Sequence, residues 1–428
     1  MTRNAAQTSL SLPALLVTVL VGVYAALRFS NIALQIVPSS AVVTTVVFLL
    51  VALYWALDLW PHDQSTPHPR LELSKTAVLW LIIALMVILP TLLMVIASAT
   101  VTAPHSFMHD GAVQTRAAVN FLLEGRNPYA ENYLATPLAN WPVPFPELTE
   151  NPALYHFVYL PVAFLLPLPF QALWPAFDQR LLFLVFLVAV LVLGSQLMPS
   201  HTHRRLWIII VALNPLFVAP FIEGRNDIIL LFAVIVMVVC LTHQRPIAAA
   251  LALALACATK QLAWPLVPFA FLFIAGAGDL RTRLTRALPA GVVFTLAFSL
   301  LILPFLLWDA PAFIDDTFTY VAGGGSTSFP IAGFGFSALL VETGLVASST
   351  AAFPHSLLQI SLTLPILIVL SLRQLQANTL ANLLLHYALV LFVFTFFSRI
   401  FFDNYLGYIT TLFATSTALA QTPPTHAQ

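Results

Sequence analysis

Residues 77–98 read AVLWLIIALMVILPTLLMVIAS, an uncharged stretch, and a few positions later comes His105-Ser106-Phe107-Met108-His109-Asp110-Gly111. A helix needs about 20 apolar residues to cross the hydrocarbon core of a bilayer. The first stretch therefore fits a span, and the second opens the polar segment at its exit. Apolar runs of this kind recur along the 428 residues, of which 60% are hydrophobic and 8% charged, with a mean hydropathy of +0.93. Soluble domains carry about 25% charged residues, so an ordinary soluble enzyme is excluded. The runs are continuous and do not alternate, which also excludes an outer-membrane barrel. Cys240 and Cys257 both sit in apolar runs and offer neither a disulfide nor a redox motif.

Working outward, the chain offers twelve candidate spans: residues 10–28, 38–57, 77–98, 181–198, 206–222, 228–241, 247–259, 263–276, 288–307, 355–372, 380–397 and 405–420. The first resembles a signal peptide but has the length of an uncleaved helix. Lys and Arg favour cytoplasmic loops. With the N-terminus inside, the inner loops hold ten of the seventeen basic residues (Arg3, Arg70, Lys75, Arg204, Arg205, Arg245, Arg281, Arg283, Arg286 and Arg373) against Asp58, Asp63, Glu72 and Asp279. Both termini are then cytoplasmic, residues 421–428 form a polar cytoplasmic tail, and residues 100–155 form a large outer loop. Parity allows only one span between that loop and Arg204. Residues 155–174, interrupted by Pro161, Pro167 and Pro169, are accordingly expected as a re-entrant or surface-hugging hairpin. Residues 331–346 are expected as an outer or partial helix. No internal repeat is evident, and residues 1–428 read as one polytopic membrane domain.

This topology gathers the charged clusters at span ends on the outer face: Asp110, the Glu223-Gly224-Arg225-Asn226-Asp227 turn, Lys260-Gln261, Asp309 with Asp315-Asp316, and Ser398-Arg399 with Asp403-Asn404. Ionisable groups near a membrane core usually face a cavity or a partner. Each cluster has a plain alternative. Asp110 is either a general base, which needs a partly dry setting that raises its pKa, or a residue capping the helix that follows. Lys260, one of two lysines, is either a phosphate-binding cation or a snorkelling interfacial side chain. Arg225 with Asp227, and Arg399 with Asp403 at i and i+4, either pair with each other or hold a phosphate. His105, His109 and Asp110 lack a fourth ligand for a metal site, and none is expected. The Tyr129–Tyr159 region, rich in Tyr and Trp, is either an interfacial belt or a sugar-stacking floor.

The chain resembles the polytopic GT-C glycosyltransferases, and among them glycosyltransferase family 87, the polyprenyl-phosphate-mannose-dependent α-mannosyltransferases. The resemblance rests on Asp110 after an early span, then Leu122-Leu123-Glu124-Gly125-Arg126-Asn127-Pro128-Tyr129 and Tyr155-His156-Phe157-Val158-Tyr159-Leu160-Pro161. It continues in Asn214-Pro215, the 223–227 turn, Ala258-Thr259-Lys260-Gln261 and Pro304-Phe305-Leu306-Leu307-Trp308-Asp309. It is good over residues 107–309 and mainly one of hydropathy beyond. It implies an all-α integral membrane protein of about twelve transmembrane helices, with a large outer-face loop after the third span and one or two re-entrant or interfacial helices. It also implies an inverting hexosyltransferase of the plasma membrane, requiring no cofactor and no metal. A hexose, mannose by analogy, would pass from a polyprenyl-phosphate donor to a glycolipid or glycan hydroxyl on the outer face; no nucleic acid is involved. Asp110 would be the catalytic base, Lys260, Arg225 and Arg399 would bind the donor phosphate, and His109, Asn127, Tyr129, Tyr159, Asp227 and Gln261 would contact substrate. A secondary transporter or lipid-linked-sugar flippase is the rival class; it would place its charges on broken helices within repeated halves.

Overall fold

The structure, a computed structural model, describes residues 10–30, 40–61, 68–100, 107–143, 145–325 and 327–421. Arg3, Asp63, His105, the first residues of the outer loop and the tail from 422 lie outside them. The described chain is mostly helical, with irregular stretches within residues 124–151, and its one piece of sheet is a two-residue parallel bridge, Ala332–Gly333 with Ile400–Phe401. Helices dominate because each satisfies its own backbone hydrogen bonds, as a segment in lipid must.

Among the described residues four helices are long and apolar enough to span a membrane: residues 41–58, 69–100, Leu280–Trp308 and His355–Gln376. Residues 206–222, expected as one span, are instead a pair, His201–Ala212 and Pro215–Glu223, bent by 51°. The cause is local. A residue before proline is pushed out of the helical region, and Asn214 there accepts the Leu216 N–H as a helix cap (3.1 Å). Counted as one crossing, the pair makes a fifth. The other apolar helices are 10 to 17 residues long, so helix length does not establish the expected twelve crossings. In the span of residues 69–100 the turn Ala84–Ile88 widens to a π-helix just before Pro90. The proline ring supplies no N–H and crowds the carbonyl four residues back, and the wider turn accommodates both.

At the centre lies Asp227–Thr242, packed against both Arg180–Gln196 and Pro246–Cys257. It is apolar around its whole circumference because it is enclosed. Pro246–Cys257 reads PIAAALALALAC, and its alanines let the backbones approach closely. Leu280–Trp308 and His355–Gln376 lie at the periphery. They expose Leu288, Leu296, Leu300, Leu307, Leu357 and Ile368, as lipid-facing helices do. A second group packs Leu380–Phe396 between His355–Gln376 and Asp403–Ala420.

The segments of unsettled topology take particular forms. Residues 155–174 are two short helices, Val162–Leu165 and Leu168–Leu173, broken at Pro167 and laid against Asp110–Leu123. Residues 247–276 form Pro246–Cys257, a 3-10 turn Gln261–Ala263 and Leu266–Ala275, interrupted at Lys260. Residues 331–346 contribute the bridge strand and one short helix, Phe336–Glu342.

Candidate active site

Asp110 is the first residue of the helix Asp110–Leu123, and the cap itself is His109. The Gly111 N–H is shared between Asp110 Oδ1 (2.6 Å) and His109 Nδ1 (3.1 Å), and that nitrogen lies 2.8 Å from the same Oδ1. A helix N-terminus favours an anion. Burial pushes the Asp110 carboxyl up, but His109 and the Gly111 N–H outweigh it and hold it below the ordinary carboxylate range. This corrects the expected raised base. Asp110 is thus favoured as the ionised carboxylate, with its side chain 21% exposed.

The outer loop is pinned to the rest of the fold from two sides. The His109 N–H donates to the Glu223 carbonyl (2.8 Å), and Arg180, fully buried, donates to the Phe107 carbonyl (2.6 Å) and to Ser98 Oγ (2.8 Å) while paired with Asp178 (2.6 Å). Neither Asp178 nor Arg180 stands out in the sequence, because a charge at the head of an apolar run reads as interfacial. Gly224 turns the chain back with φ +99°, and a β-carbon there would come within 3.1 Å of the Ala112 side chain. This close approach brings the 223–227 turn against the head of the Asp110 helix.

The cations are wired mainly across the chain; within its own turn Arg225 meets only Glu223, at 3.8 Å, and not Asp227 as the plain alternative had it. Lys260 Nζ pairs with Asp227 Oδ1 (2.6 Å), whose other oxygen accepts from Asn404 (2.7 Å). Arg225 Nη1 pairs with Asp403 (2.9 Å) and also donates to the Asn404 side chain (3.0 Å). Asp227 begins a new helix just after the turn, which separates it from Arg225 and aims it at Lys260. Arg399 makes no ion pair with Asp403. Its guanidinium instead donates to the carbonyls of Phe329 (2.5 Å), Ala351 (3.2 Å) and Ser349 (3.3 Å). Among the described residues no carboxylate bridges it, and burial holds its pKa below the ordinary value.

Asp110, His109, Tyr159, Arg225, Lys260, Gln261 and Arg399 all line one cavity of about 1500 Å³. Tyr159 contributes a hydroxyl that burial, with Asp110 nearby, keeps protonated and so a donor. Gln261 is held by the Thr317 carbonyl (3.0 Å). The lining also includes the apolar side chains of Ile360, Leu364, Leu367, Val390 and Phe394. Asp227, Asn127 and Tyr129 are not in the lining. Asp227 stands behind Lys260, and the Asn127 side chain accepts the Tyr129 N–H (3.2 Å). Tyr129, buried among Phe157, Phe164, Phe305 and Phe313, donates to the Tyr159 carbonyl (2.8 Å). Sequence reasoning did not select Asn404, Tyr405 or Tyr320, which do line the cavity. Asn404, next to Asp403 in a recognised polar cluster, was the one within reach. His109 and Asp110 belong to no metal-ligand group among the described residues; the one such group is His156, Asp315 and Asp316, outside this lining.

This is an apolar helical bundle with one large cavity lined by both ionisable and apolar side chains, as befits a membrane protein. Residues 157–420 match the model of glycosyltransferase family 87, and the chain belongs to that family. It is therefore a glycosyltransferase, and the transporter reading gives way. No curated protein matches the chain. The match starts after Asp110, Asn127 and Tyr129 but includes Arg399 and most of the C-terminal third, where the sequence resemblance had been only one of hydropathy.

Proposed function

We propose that the protein transfers a hexose, mannose by family analogy, from a polyprenyl-phosphate sugar to a hydroxyl of a glycolipid or glycan at the outer face of the plasma membrane. The observation that carries this is the single cavity holding a carboxylate, three cations and an apolar wall. An acceptor oxygen attacks the anomeric carbon as the bond from that carbon to the phosphate oxygen breaks, inverting the centre. Asp110 takes the acceptor proton. The donor is a phosphodiester with one negative charge, and the departing polyprenyl phosphate gains another. Preorganised cations stabilise such developing charge more than the ground state. Lys260 and Arg225, each held from behind by a carboxylate, supply a fixed field there. Arg399 uses three of its five N–H donors on carbonyls, which leaves two for a phosphate. The prenyl chain runs along Ile360, Leu364 and Phe394.

Asp110→Asn is expected to insert and fold normally and to lose transfer by about 100-fold or more. The assay supplies membranes with a panel of polyprenyl-phosphate sugars and reads the lipid products by mass spectrometry. Wild-type rates in that variant would remove Asp110 as the base; no transfer by the wild type from any donor in the panel would remove the donor class.

A further inference from the structure

We infer that His156, Asp315 and Asp316 form a divalent transition-metal site that clamps the outer loop to the segment after Trp308. His156 Nδ1 lies 2.9 Å from Asp316 Oδ1 and 3.5 Å from Asp315 Oδ2, and one ligand atom from each residue falls within 4.8 Å of the others. Neighbouring ligand atoms bound at about 2.0–2.2 Å to a common metal stand roughly 3 to 3.5 Å apart, so the two distances from His156 Nδ1 match coordination edges. The outer contacts orient these atoms as metal ligands are oriented. His156 Nε2 is held by Thr327 Oγ1 (2.7 Å), leaving Nδ1 to face the carboxylates, and the second Asp316 oxygen accepts the Phe157 N–H (2.8 Å).

Charge makes the same demand. Two carboxylates face one imidazole nitrogen, and among the described residues no Lys or Arg bridges either of them. Tyr320, buried beside the cavity, stacks on the His156 ring with centroids 4.3 Å apart and fixes its plane. Imidazole with carboxylate suits Mn²⁺ or Zn²⁺ better than an all-oxygen ion. Asp315, 49% exposed, opens the site to solvent.

The clamp joins parts of the cavity wall that are distant in sequence. Tyr159 follows His156, Thr317 follows Asp316 and holds Gln261, and Phe329, whose carbonyl holds Arg399, lies just beyond Thr327. The test is equilibrium binding of Mn²⁺ alone to chelator-treated, full-length protein in detergent, read by electron paramagnetic resonance and by the shift in melting temperature. The wild type should bind one equivalent, displaced by Zn²⁺. Asp315→Asn, at a half-exposed position, should keep the metal-free melting temperature, weaken Mn²⁺ binding at least about tenfold and lose the metal-dependent shift. Failure of the wild type to bind stoichiometrically would overturn the site and leave His156 simply hydrogen-bonded to Asp316. Equal Mn²⁺ affinity in Asp315→Asn would overturn it as well.

Discussion

At the scale of single residues, the environment of Asp110 sets a pH dependence with a definite sign. The base form is the carboxylate, and its pKa is held below the ordinary value of about 4. Proton acceptance is therefore lost only as pH falls below that range, and transfer should show no acid limb between about pH 5 and 7 from this group. Burial alone pushes the carboxyl the other way. His109→Ala removes the leading opposing influence, so the acid limb of kcat/KM should move to higher pH; an unmoved limb would deny His109 that role. The Lys260–Asp227 pair makes a second prediction. Lys260→Met leaves Asp227 buried with the Asn404 hydrogen bond and the more distant Arg225 but no paired cation, and stranding a buried charge costs on the order of 3 to 5 kcal/mol. Asp227→Asn in the same chain should recover most of that, as a double-mutant cycle of unfolding in detergent would show. Asp110, Arg225 and Lys260 were legible in the sequence as charges interrupting apolar runs. Their partners were not, because Asp403 and Asn404 lie some 180 positions from Arg225 and Asp227, and neighbours in one turn looked like the natural pairs.

At the scale of elements, the sequence showed where apolar chain lies but not where it breaks. A hydropathy window passes over Asn214-Pro215, although the proline and its capping asparagine are the reason the helix bends there. It also missed the bridge between Ala332–Gly333 and Ile400–Phe401, two residues long on each side and without any alternating pattern. That bridge has a sharp requirement. Gly333 has φ +95°, and a β-carbon on it would sit 1.9 Å from the Phe401 carbonyl oxygen, a backbone atom that no rotamer change can remove. The same ladder ties the Ala332 N–H to the Arg399 carbonyl (3.2 Å). Gly333→Ala should therefore open the bridge, displace Arg399 and raise the KM for donor along with lowering the melting temperature. Gly344→Ala, where a β-carbon meets nothing within 4 Å and φ is also positive, carries the backbone strain without the collision and is the control. Equal losses in the two variants would mean that the collision at the bridge does not matter.

At the scale of the whole molecule, helix length supports the proposal that the two polar ends of the bundle lie on opposite sides of a membrane. Lys75 is buried near the start of the helix running from residue 69 to 100, where it pairs with Asp58 (3.0 Å). Arg205 joins the same end through Glu72. Asp110 follows the other end. Twenty-five residues separate Lys75 from Thr100, and at 1.5 Å per residue that is about 37 Å of helix, more than the roughly 30 Å of hydrocarbon. Such a span would deliver the Asp110 cavity to the face opposite Lys75 and Arg205, whatever the number of crossings elsewhere. By the excess of arginine on the Lys75 side, the proposed orientation puts that side in the cytoplasm. Labelling tests both steps in a background with Cys240→Ala and Cys257→Ala, since both native thiols are free. Asp110→Cys should react with an impermeant maleimide on intact cells. Arg204→Cys, at an exposed position beside Arg205, should react only after permeabilisation. The reverse pattern would invert the protein and move the cavity to the cytoplasmic leaflet, whereas reaction of both from one side would break the length argument and with it the assignment of residues 69–100 as a span.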